Sequence, residues 1–320
     1  MPSTRTLRSG ITVLIPVRDR GRFLAQTLRS VRDQTAPIDE VVVVDDASTD
    51  DSAAVARESG ATVVVNDGPP LGPAGARNLG LERVSTELVY PLDSDDILLP
   101  RAIETLSRGL LTDPGAPFAF GRSLTAARDT SGWHPQGIID PLEGDLADLL
   151  CSLFVRNFVP SCAVIIRTMP VVEVGGYAED FPPHEDHHLW LRLAARQPPI
   201  YVPEIVSVAR RHPGNISDPV QATGPIALIT EMATADPRLA RCRPERLGVQ
   251  LFEVVNAARK RMRPAVAARV AWTQLLREQH RRRILSAAAR HARNRRQRAR
   301  EARALWEASP DLRRSLASYE

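Results

Sequence analysis

The chain has 320 residues, 43% of them hydrophobic, and a formal net charge of +4. This length predicts one large domain or two smaller ones, and the composition is that of an ordinary globular protein. No apolar run reaches membrane-spanning length, and the run Ile11 to Val17, closed by Arg18-Asp19-Arg20, indicates a strand and not a signal peptide.

The three cysteines are Cys151, Cys162 and Cys242. Their wide spacing predicts neither a disulfide framework nor a metal quartet, and a reduced, cytosolic setting is expected. Cys162 falls in a predicted strand and is interpreted as a buried small hydrophobe.

Apolar runs alternate with helical periodicity over the first hundred residues. Strands are predicted at 11–17, 38–44, 61–65 and 87–92, and helices at about 23–31, 51–58, 74–84 and 100–111. This alternation implies parallel strands with right-handed crossovers, and fully apolar strands imply a sheet covered on both faces. Ligands in such sheets bind beyond the carboxyl ends of the strands. Arg18, Asp45, Asp46 and the acids after the fourth strand all fall at that edge.

Three carboxylates, Asp93, Asp95 and Asp96, follow the fourth strand within four residues. They repel one another, and an ordered arrangement usually needs a cation. Carboxylate oxygens suit Mg²⁺ or Mn²⁺, and magnesium commonly completes its shell with substrate phosphates. The first hypothesis is therefore a divalent metal that holds a diphosphate, and the alternative is an acidic turn that caps the helix starting near Pro100.

The segment from Gly68 to Gly80 separates the third and fourth strands. Its glycine spacing matches neither a P-loop nor a dinucleotide fingerprint. Arg77 and Asn78 are the unusual polar residues in it. Two interpretations stay open: a surface arginine with a solvent-facing asparagine, or an arginine that reaches the same sheet edge.

The segments ITVLIPVRDR, VVVVDDASTD, GPAGARNLGL and YPLDSDD, in this order and spacing, resemble the nucleotide-binding half of a family-two glycosyltransferase of the GT-A fold, over about residues 10–105. The resemblance implies an α/β, Rossmann-like central sheet flanked by helices, to which the sequence adds a C-terminal α-helical extension. We accordingly expect a nucleotide-sugar-binding half at 1–105, an acceptor-binding half at 106–217, a linker at 218–240 and a basic helical extension at 241–320.

The resemblance also implies roles for particular residues. Asp45 and Arg77 would approach the base, whereas Asp93 and Asp95 would meet the ribose and the metal. The family's usual Tyr-Asn after the first strand's proline is replaced here by Val17-Arg18-Asp19. The implied donor-binding residues are Pro16, Arg18, Asp45, Asp46, Arg77, Asp93, Ser94 and Arg211, and the implied metal ligands are Asp93, Asp95 and His212.

Residues 184–188, HEDHH, match the H-E-x-x-H motif of zinc proteases, in which two histidines of one helix face bind zinc. However, Pro182-Pro183 places His184 at a helix start. We favour the alternative that Glu185 and Asp186 lie at the helix N-terminus, where the dipole favours an ionised carboxylate. That segment resembles the family's acceptor side, which makes Asp186 the catalytic base, with Glu185 beside it as the second catalytic candidate.

The loop after the last predicted strand, 199–209, begins Arg210-Arg211-His212. This loop resembles the family's closing loop and could neutralise a leaving diphosphate. The alternative is a solvated basic turn. Within the acceptor-binding half, we predict a strand at 117–123, a helix at 146–158 and a strand at 161–167. Residues 124–144 have no sustained pattern, and the sequence does not decide whether they form an acceptor-side loop. A short helix is predicted at 226–235 within the linker.

The C-terminal part is strongly basic. Residues 241–320 carry 21 basic and 7 acidic side chains, and the stretch from Arg281 through Arg300 contains nine arginines and no acid. Helical periodicity starts near Glu245. There are two main alternatives. The helix packs on the catalytic domain or forms a homo-oligomer, or it lies on an anionic membrane through Ile284, Leu285, Leu305 and Trp306. Nucleic-acid binding is the least favoured.

The sequence therefore predicts an inverting, metal-assisted glycosyltransferase that uses a nucleotide-diphosphate sugar, with UDP favoured, and Mn²⁺ or Mg²⁺. The acceptor hydroxyl could belong to a glycan, a lipid-linked acceptor, a natural product or a peptide. The expected location is cytoplasmic, with peripheral contact at the inner face of the membrane as an extension. The alternatives are a zinc-dependent hydrolase and a protein that binds nucleic acid or membrane through its basic tail.

Overall fold

The computed structural model describes residues 7–130, 132–142, 144–181, 184–212, 231–249, 252 and 281–319. The strands are β1 (Arg8–Val17), β2 (Glu40–Asp46), β3 (Thr62–Asn66), β4 (Thr86–Pro91), β5 (Ile97–Leu98), β6 (Phe118–Asp129), β7 (Gly132–Ile139), β8 (Val164–Arg167) and β9 (Ile200–Arg211). The helices are α1 (Gly21–Arg32), α2 (Ser52–Glu58), α3 (Gly72–Leu81), α4 (Ala102–Leu110), α5 (Leu149–Val155), α6 (Thr168–Glu173), α7 (Glu185–Ala194), α8 (Pro237–Ala240), α9 (Arg281–Ala308) and α10 (Pro310–Ala317). Residues 231–235 and 243–249 are also helical.

These strands form one mixed sheet in the order β3-β2-β1-β4-β8-β6-β9-β5, with β7 paired to β6. The first half is parallel, as predicted: β1 pairs in parallel with β2 and β4, and β2 with β3. In the second half, β8 runs antiparallel to both β4 and β6. The two halves of the chain therefore share one continuous sheet, and residues of both can meet at its edge.

Buried side chains cover both faces of this sheet. Leu14 packs in the cluster that contains Trp190, whereas Val13 and Ile15 pack in the opposite cluster with Leu24 of α1. This alternation explains why β1 is a continuous apolar run, since a strand covered on both faces has no solvent side. Gly80 allows α3 to approach the sheet closely, because a Cβ there would lie 2.2 Å from Leu14 Cδ1.

Predictions for the second half were met only in part. Residues 124–144, where the sequence left an acceptor-side loop open, continue β6 to Asp129 and form β7, and the two strands make an antiparallel hairpin. β7 includes Pro135, and it pairs only with β6, so it is an edge strand, where proline is tolerated. The helix expected at 146–158 begins as a 3₁₀ turn at Asp145–Asp148 and ends at Val155. The strand expected at 161–167 likewise begins as a 3₁₀ turn, Ser161–Ala163.

The C-terminal helices pack on the catalytic domain. Ala302 of α9, Leu316 of α10 and Tyr319 share a buried cluster with residues of β5, the β6–β7 hairpin and β9. Of the four apolar residues considered for membrane contact, Ile284 is buried in the core, Leu305 and Trp306 pack against this cluster, and Leu285 is exposed. These contacts favour the packing interpretation of the basic helix. The predicted helix at 226–230 and most of 250–280 lie outside the described residues.

Cys151 and Cys242 form a disulfide, with their Cα atoms 6.0 Å apart. The expectation of unpaired cysteines was therefore wrong for these two, because folding brings together residues 91 positions apart in the chain. The bond ties α5 to the chain just before helical residues 243–249. Cys162 is free and buried, as predicted. Of the helices that the structure describes, none combines the length and apolar character needed to cross a membrane.

Candidate active site

Parallel pairing brings the carboxyl ends of β1, β2 and β4 to one edge of the sheet. Val17 lies beside Asp45, and the loop that carries Asp93 follows the end of β4. The sequence-predicted residues of the first half therefore lie at a common edge, as the alternation of strands and helices indicated.

Arg77 of α3 joins the two halves of the chain at this edge. Its guanidinium contacts Asp93 Oδ1 at 2.5 Å and Glu185 Oε1 at 2.8 Å. Arg77 is only 4% exposed, and its guanidinium carbon lies 5.3 Å from the centre of the Tyr177 ring. The interpretation of Arg77 as a surface residue was thus wrong, and the arginine links the loop after β4 to the start of α7.

Attraction between Arg77 and its two carboxylate partners stabilises this bridge, in which one positive charge faces two negative ones. Burial alone would lower the pKa of Arg77, but the charges of Asp93 and Glu185 more than offset it, so its pKa lies above the usual value. For Asp93, burial raises the pKa and the Arg77 charge opposes it, with a net upward shift. Each group depends on its partners to remain charged, because an unpaired buried charge is strongly unfavourable.

Asn78, the next residue of α3, clamps the turn that precedes α7. Its amide donates to the Tyr177 carbonyl at 2.8 Å, and its oxygen accepts from the Tyr177 N–H at 2.8 Å. Gly176 has a left-handed φ of +73°, and a Cβ there would lie 2.6 Å from Asn78 Oδ1. The expectation of a solvent-facing asparagine was wrong, and the clamp fixes Tyr177 against Arg77.

Asp95, two residues after Asp93 in the acidic loop, contacts His212. His212 Nε2 donates to Asp95 Oδ2 at 2.8 Å, and both side chains are largely buried. The His212 ring stacks on Phe23 of α1, with ring centres 4.4 Å apart. The end of β9 is thereby held against the acidic loop, 117 residues away in sequence.

Asp96 and Arg210 point into the protein. The Asp96 carboxylate accepts from the Arg210 N–H at 2.9 Å, and burial raises its pKa well above the usual value. The Arg210 guanidinium contacts the Asp95 carbonyl, Gln26 and Thr27, and burial lowers its pKa to about 10. Through these contacts, Asp96 and Arg210 hold the acidic loop against α1 and β9 in the interior of the protein.

The remaining donor-binding candidates are each engaged locally. Asp46 accepts from Asn66 Nδ2 and from the N–H groups of Leu71 and Gly72 at 2.8 to 2.9 Å, so its carboxylate anchors the start of α3. Asp45 Oδ1 accepts from the Ser48 N–H at 3.0 Å.

Four further candidates lie along the same edge. Pro16 lies in β1 opposite Val44, and Arg18 is an exposed residue with its guanidinium 3.8 Å from Asp19. The Ser94 carbonyl accepts from Thr27 at 2.8 Å, and Arg211 is exposed. The roles of these residues in donor binding stay predictions.

Asp186, the second residue of α7, lies in a polar cradle. Its Oδ2 accepts from Ser161 Oγ at 3.0 Å and from Asn157 Nδ2 at 3.2 Å, and its Oδ1 accepts from the His187 N–H at 2.6 Å. Burial, followed by repulsion from Glu185, raises its pKa to about 6. A carboxyl group with this pKa is ionised at neutral pH and can accept a proton.

Glu185 and Asp186 diverge, as predicted for two residues at a helix start. Glu185 turns to Arg77, and Asp186 turns to Asn157 and Ser161. The carboxylate of Glu185 is therefore occupied by an ion pair, whereas that of Asp186 is held only by neutral donors.

The HEDHH segment is not arranged as a zinc site. His187 Nε2 donates to the Leu153 carbonyl at 2.7 Å, and His188 Nε2 donates to Glu231 at 3.1 Å. Burial lowers the pKa of His184 to about 4. Across the described ranges, no three His, Cys, Asp or Glu side chains are grouped so that they could hold a metal.

The pair of Asp95 and His212 fits a divalent cation in part. Asp95 offers a hard carboxylate oxygen, and a magnesium-type ion takes most of its other ligands from phosphate and water. His212 Nε2, while it donates to Asp95, orients that carboxylate and does not itself offer a lone pair. His212 as a direct ligand stays a prediction.

Several residues of the site gave no signal in the sequence. Asn157 and Ser161, which hold Asp186, and Phe23, which stacks on His212, belong to no motif. Tyr177 belongs to the Gly-Gly-Tyr turn, but its position under Arg77 follows only from tertiary packing.

The mixed sheet and the acids at the ends of its parallel strands define a glycosyltransferase fold of the GT-A type. The sequence matches the model of the glycosyl transferase family 2 over residues 12–169. An uncharacterized protein of Mycobacterium tuberculosis is 31% identical over 234 residues, which is 67% of this chain and 70% of that protein. The chain belongs to glycosyl transferase family 2, and the predicted family and fold are confirmed.

Two solved structures show the same fold. TarS residues 1–349 of S. aureus, in complex with UDP-GlcNAc, superposes with a TM-score of 0.59 at 19% identity, over 77% of this chain and 73% of that chain. The mannosyltransferase PcManGT of Pyrobaculum calidifontis, in complex with GDP-Man and Mn²⁺, gives a TM-score of 0.57 at 20% identity, over 90% of this chain and 88% of that chain.

Proposed function

We propose that the protein transfers a sugar from a nucleoside diphosphate sugar to an acceptor hydroxyl, with inversion of the anomeric centre and with Asp186 as the base. The observation that carries this proposal is the continuous site at the sheet edge. Arg77 links Asp93 to Glu185, and Asp186 follows Glu185 directly. A donor seated on the acidic loop would thus be close to a carboxylate able to take a proton.

Asp186 has the properties that a general base needs. It is ionised at neutral pH, since its pKa is about 6, and its two oxygens are oriented by three neutral donors. When the acceptor oxygen attacks the anomeric carbon, its proton would pass to Asp186, and the bond from that carbon to the diphosphate oxygen would break.

A single displacement is favoured over a double one. Double displacement needs a second carboxylate on the opposite face of the sugar as a nucleophile. The neighbouring Glu185 is fixed by Arg77 at 2.8 Å and points away from Asp186. The product of one direct attack has the inverted anomeric configuration, which NMR of the product would identify.

The donor would be held at the end of the parallel strands. Asp45 and Arg18 flank the predicted base site, and Asp93 and Asp95 follow β4. A bound Mg²⁺ or Mn²⁺ would offset the charge of the departing diphosphate. Asp95 would hold such an ion, with His212 orienting its carboxylate. In support, the structures of similar fold contain UDP-GlcNAc in one case and GDP-Man with Mn²⁺ in the other.

The same proposal assigns the nucleotide half to residues 1–105, the acceptor half to 106–217, a linker to 218–240 and the helical extension to 241–320. A cytoplasmic location stays a prediction. It can be checked by mass spectrometry of the Cys151–Cys242 pair in protein alkylated inside cells, because a cystine is uncommon in a reducing compartment.

The test is a thermal-shift panel of UDP, GDP and dTDP, each with Mn²⁺, Mg²⁺ or EDTA. A ligand that binds only the native state raises the Tm by mass action, and at 100 times Kd the gain is about 2.7 kcal/mol. We expect one nucleotide to give a metal-dependent rise that Asp95→Asn removes. Glu58→Gln, a matched change at an exposed acid of α2, should leave the rise intact. The absence of a shift with every nucleotide would refute donor binding at this site.

A further inference from the structure

A second concave site lies next to the donor site. It is a cavity of about 510 Å³ enclosed by the first turns of α1, the tip of the β6–β7 hairpin, the end of β9 and the C-terminal Tyr319. Its volume is within the range of small-molecule sites. His212 lines this cavity and also pairs with Asp95, which is not a lining residue, so one side chain connects the cavity to the candidate metal carboxylate.

The charge of this wall is strongly positive. Four arginines and His212 line the cavity against a single acid, Asp129. Asp129 already contacts His134 at 3.0 Å, so its negative charge offsets the positive charge of the cavity less. The lining residues are Arg22, Phe23, Gln26, Arg128, Asp129, Thr130, Trp133, Arg210, Arg211, His212 and Tyr319.

The arginines differ in what they can offer to a ligand. Arg210 is turned inward and donates to the Phe23 carbonyl and to Thr27. Arg22 and Arg211 are exposed, and neither makes an ion pair with another residue in the part of the chain that the structure describes. Two cations at one cavity, brought from α1 and from β9, form a site suited to an anion.

Aromatic surface surrounds these charges. Trp133 of the hairpin, Phe23 of α1 and the buried Tyr319 line the same space. Aromatic side chains beside an arginine displace part of the surrounding water and strengthen the attraction between the arginine and an anionic group. The cavity therefore differs from a solvated basic turn.

We propose that this cavity binds a phosphate group of the acceptor, so that the enzyme transfers its sugar to a phosphorylated acceptor. This inference rests on the proposed function. The donor is placed by the ends of β1, β2 and β4. The cavity contacts this region only through α1, and its other walls include the β6–β7 hairpin and the end of β9, which belong to the proposed acceptor half. The donor phosphates would lie by Asp95, and the cavity remains for an anion that arrives with the acceptor.

The experiment first establishes donor binding and then measures the binding of a phosphate ligand to the cavity separately. The full chain is saturated with Mn²⁺ and the nucleotide that raises its Tm. Glycerol 3-phosphate is then titrated by calorimetry, with glycerol as the uncharged control ligand. We expect one site per chain for glycerol 3-phosphate and no heat of binding for glycerol.

Arg22→Gln tests whether Arg22 contributes to phosphate binding in the cavity. Arg22 suits this test because it is exposed and lies outside the catalytic machinery. It should weaken the binding of glycerol 3-phosphate by about tenfold, the loss expected for one charge-assisted hydrogen bond. Arg32→Gln is the matched control, since it removes the same charge from the same helix at a side chain that is 76% exposed and lies outside the cavity.

Three results would overturn the proposal: no binding of glycerol 3-phosphate, equal weakening by both variants, or a loss of the nucleotide-induced shift in Arg22→Gln. The last would place the cavity in the donor site. Failure of the proposed function is recognised independently, because wild-type protein would then show no nucleotide-induced shift at all.

The acceptor phosphate could belong to a soluble molecule or to a lipid, and a second experiment distinguishes these two sources. Co-sedimentation with vesicles of phosphatidylglycerol is compared with vesicles of phosphatidylcholine. A lipid-borne phosphate would be supported if the protein binds the anionic vesicles, if Arg22→Gln weakens this binding, and if glycerol 3-phosphate competes with it. Binding of glycerol 3-phosphate without such vesicle binding would support a soluble one.

Discussion

The ion-pair bridge at Arg77 makes a prediction that tests the site as a built structure. In Arg77→Met, an apolar chain of similar length replaces the guanidinium between Asp93 and Glu185. Breaking a buried ion pair by removing one partner costs ~3–5 kcal/mol, because the other charge remains buried and uncompensated. Glu185, with 8% of its side chain exposed, should account for most of this loss, since Asp93 is 35% exposed and partly screened by water.

The loss should depend on pH, and its direction follows from the carboxylates. Without Arg77, the pKa of Asp93 rises further, because burial then acts without the opposing Arg77 charge. Acid pH favours the neutral form of a carboxyl group that has lost its cationic partner, and the neutral form carries no uncompensated charge. The destabilisation should therefore be largest near pH 8 and smaller near pH 5. At pH 8 the fall in Tm should be on the order of 10 °C.

The assay is urea and thermal unfolding, followed by circular dichroism at both pH values. A second variant, Arg77→Met with Glu185→Gln, should recover much of the loss at pH 8, because a neutral amide replaces the orphaned charge. Wild-type stability in Arg77→Met would refute the argument that the bridge contributes to folding. A loss of equal size at both pH values would assign the effect to packing against Tyr177 instead.

Three further predictions concern single features. Asp186→Asn should lower kcat by about 10²- to 10⁴-fold with nucleotide binding retained, measured by release of the nucleoside diphosphate. The wild-type kcat/KM should show an acid limb near pH 6, since Asp186 has a pKa of about 6; a limb that persists in Asp186→Asn would belong to another group. The raised pKa also means that stability contributed by protonated Asp186 is lost as the pH rises through 6, so Asp186→Asn should melt higher than wild type at pH 8, with a gain of at most ~3 kcal/mol. Replacing Cys151 and Cys242 by alanine should lower the free energy of unfolding by about 2–4 kcal/mol; dithiothreitol should have the same effect on wild type and none on the variant. Gly80→Ala should cost about 1–3 kcal/mol through overpacking against Leu14, and an unchanged Tm would show that α3 can shift without loss.

The first half of the fold could be predicted because its rules are local. Strands covered on both faces are continuous apolar runs, and the ends of parallel strands meet at one edge. This logic placed Asp45 and Asp93 at a common edge before any contact was known, whereas it left Arg77 open between that edge and the surface. It could not assign Asp46 to the anchoring of α3, because that contact depends on how the loop from Asn66 to Gly72 folds back.

The second half was harder because its determinants are distant in sequence. The hairpin of β6 and β7 is an edge strand pair with proline and glycine, which gives no clear period in the sequence. The disulfide joins residues 91 positions apart, and no spacing rule connects them. The cradle of Asn157 and Ser161 around Asp186 likewise appears only when α5, β8 and α7 are packed together.

The family match ends at residue 169, but the proposed chemistry depends on residues beyond it. Glu185 and Asp186 are consecutive, so a fixed Glu185 also fixes the backbone that carries Asp186. Arg77 fixes Glu185 and contacts Asp93 with the same guanidinium. The position of the proposed base relative to the donor loop is therefore set by Arg77, together with the Asn78 clamp on Tyr177 and the cradle of Asn157 and Ser161.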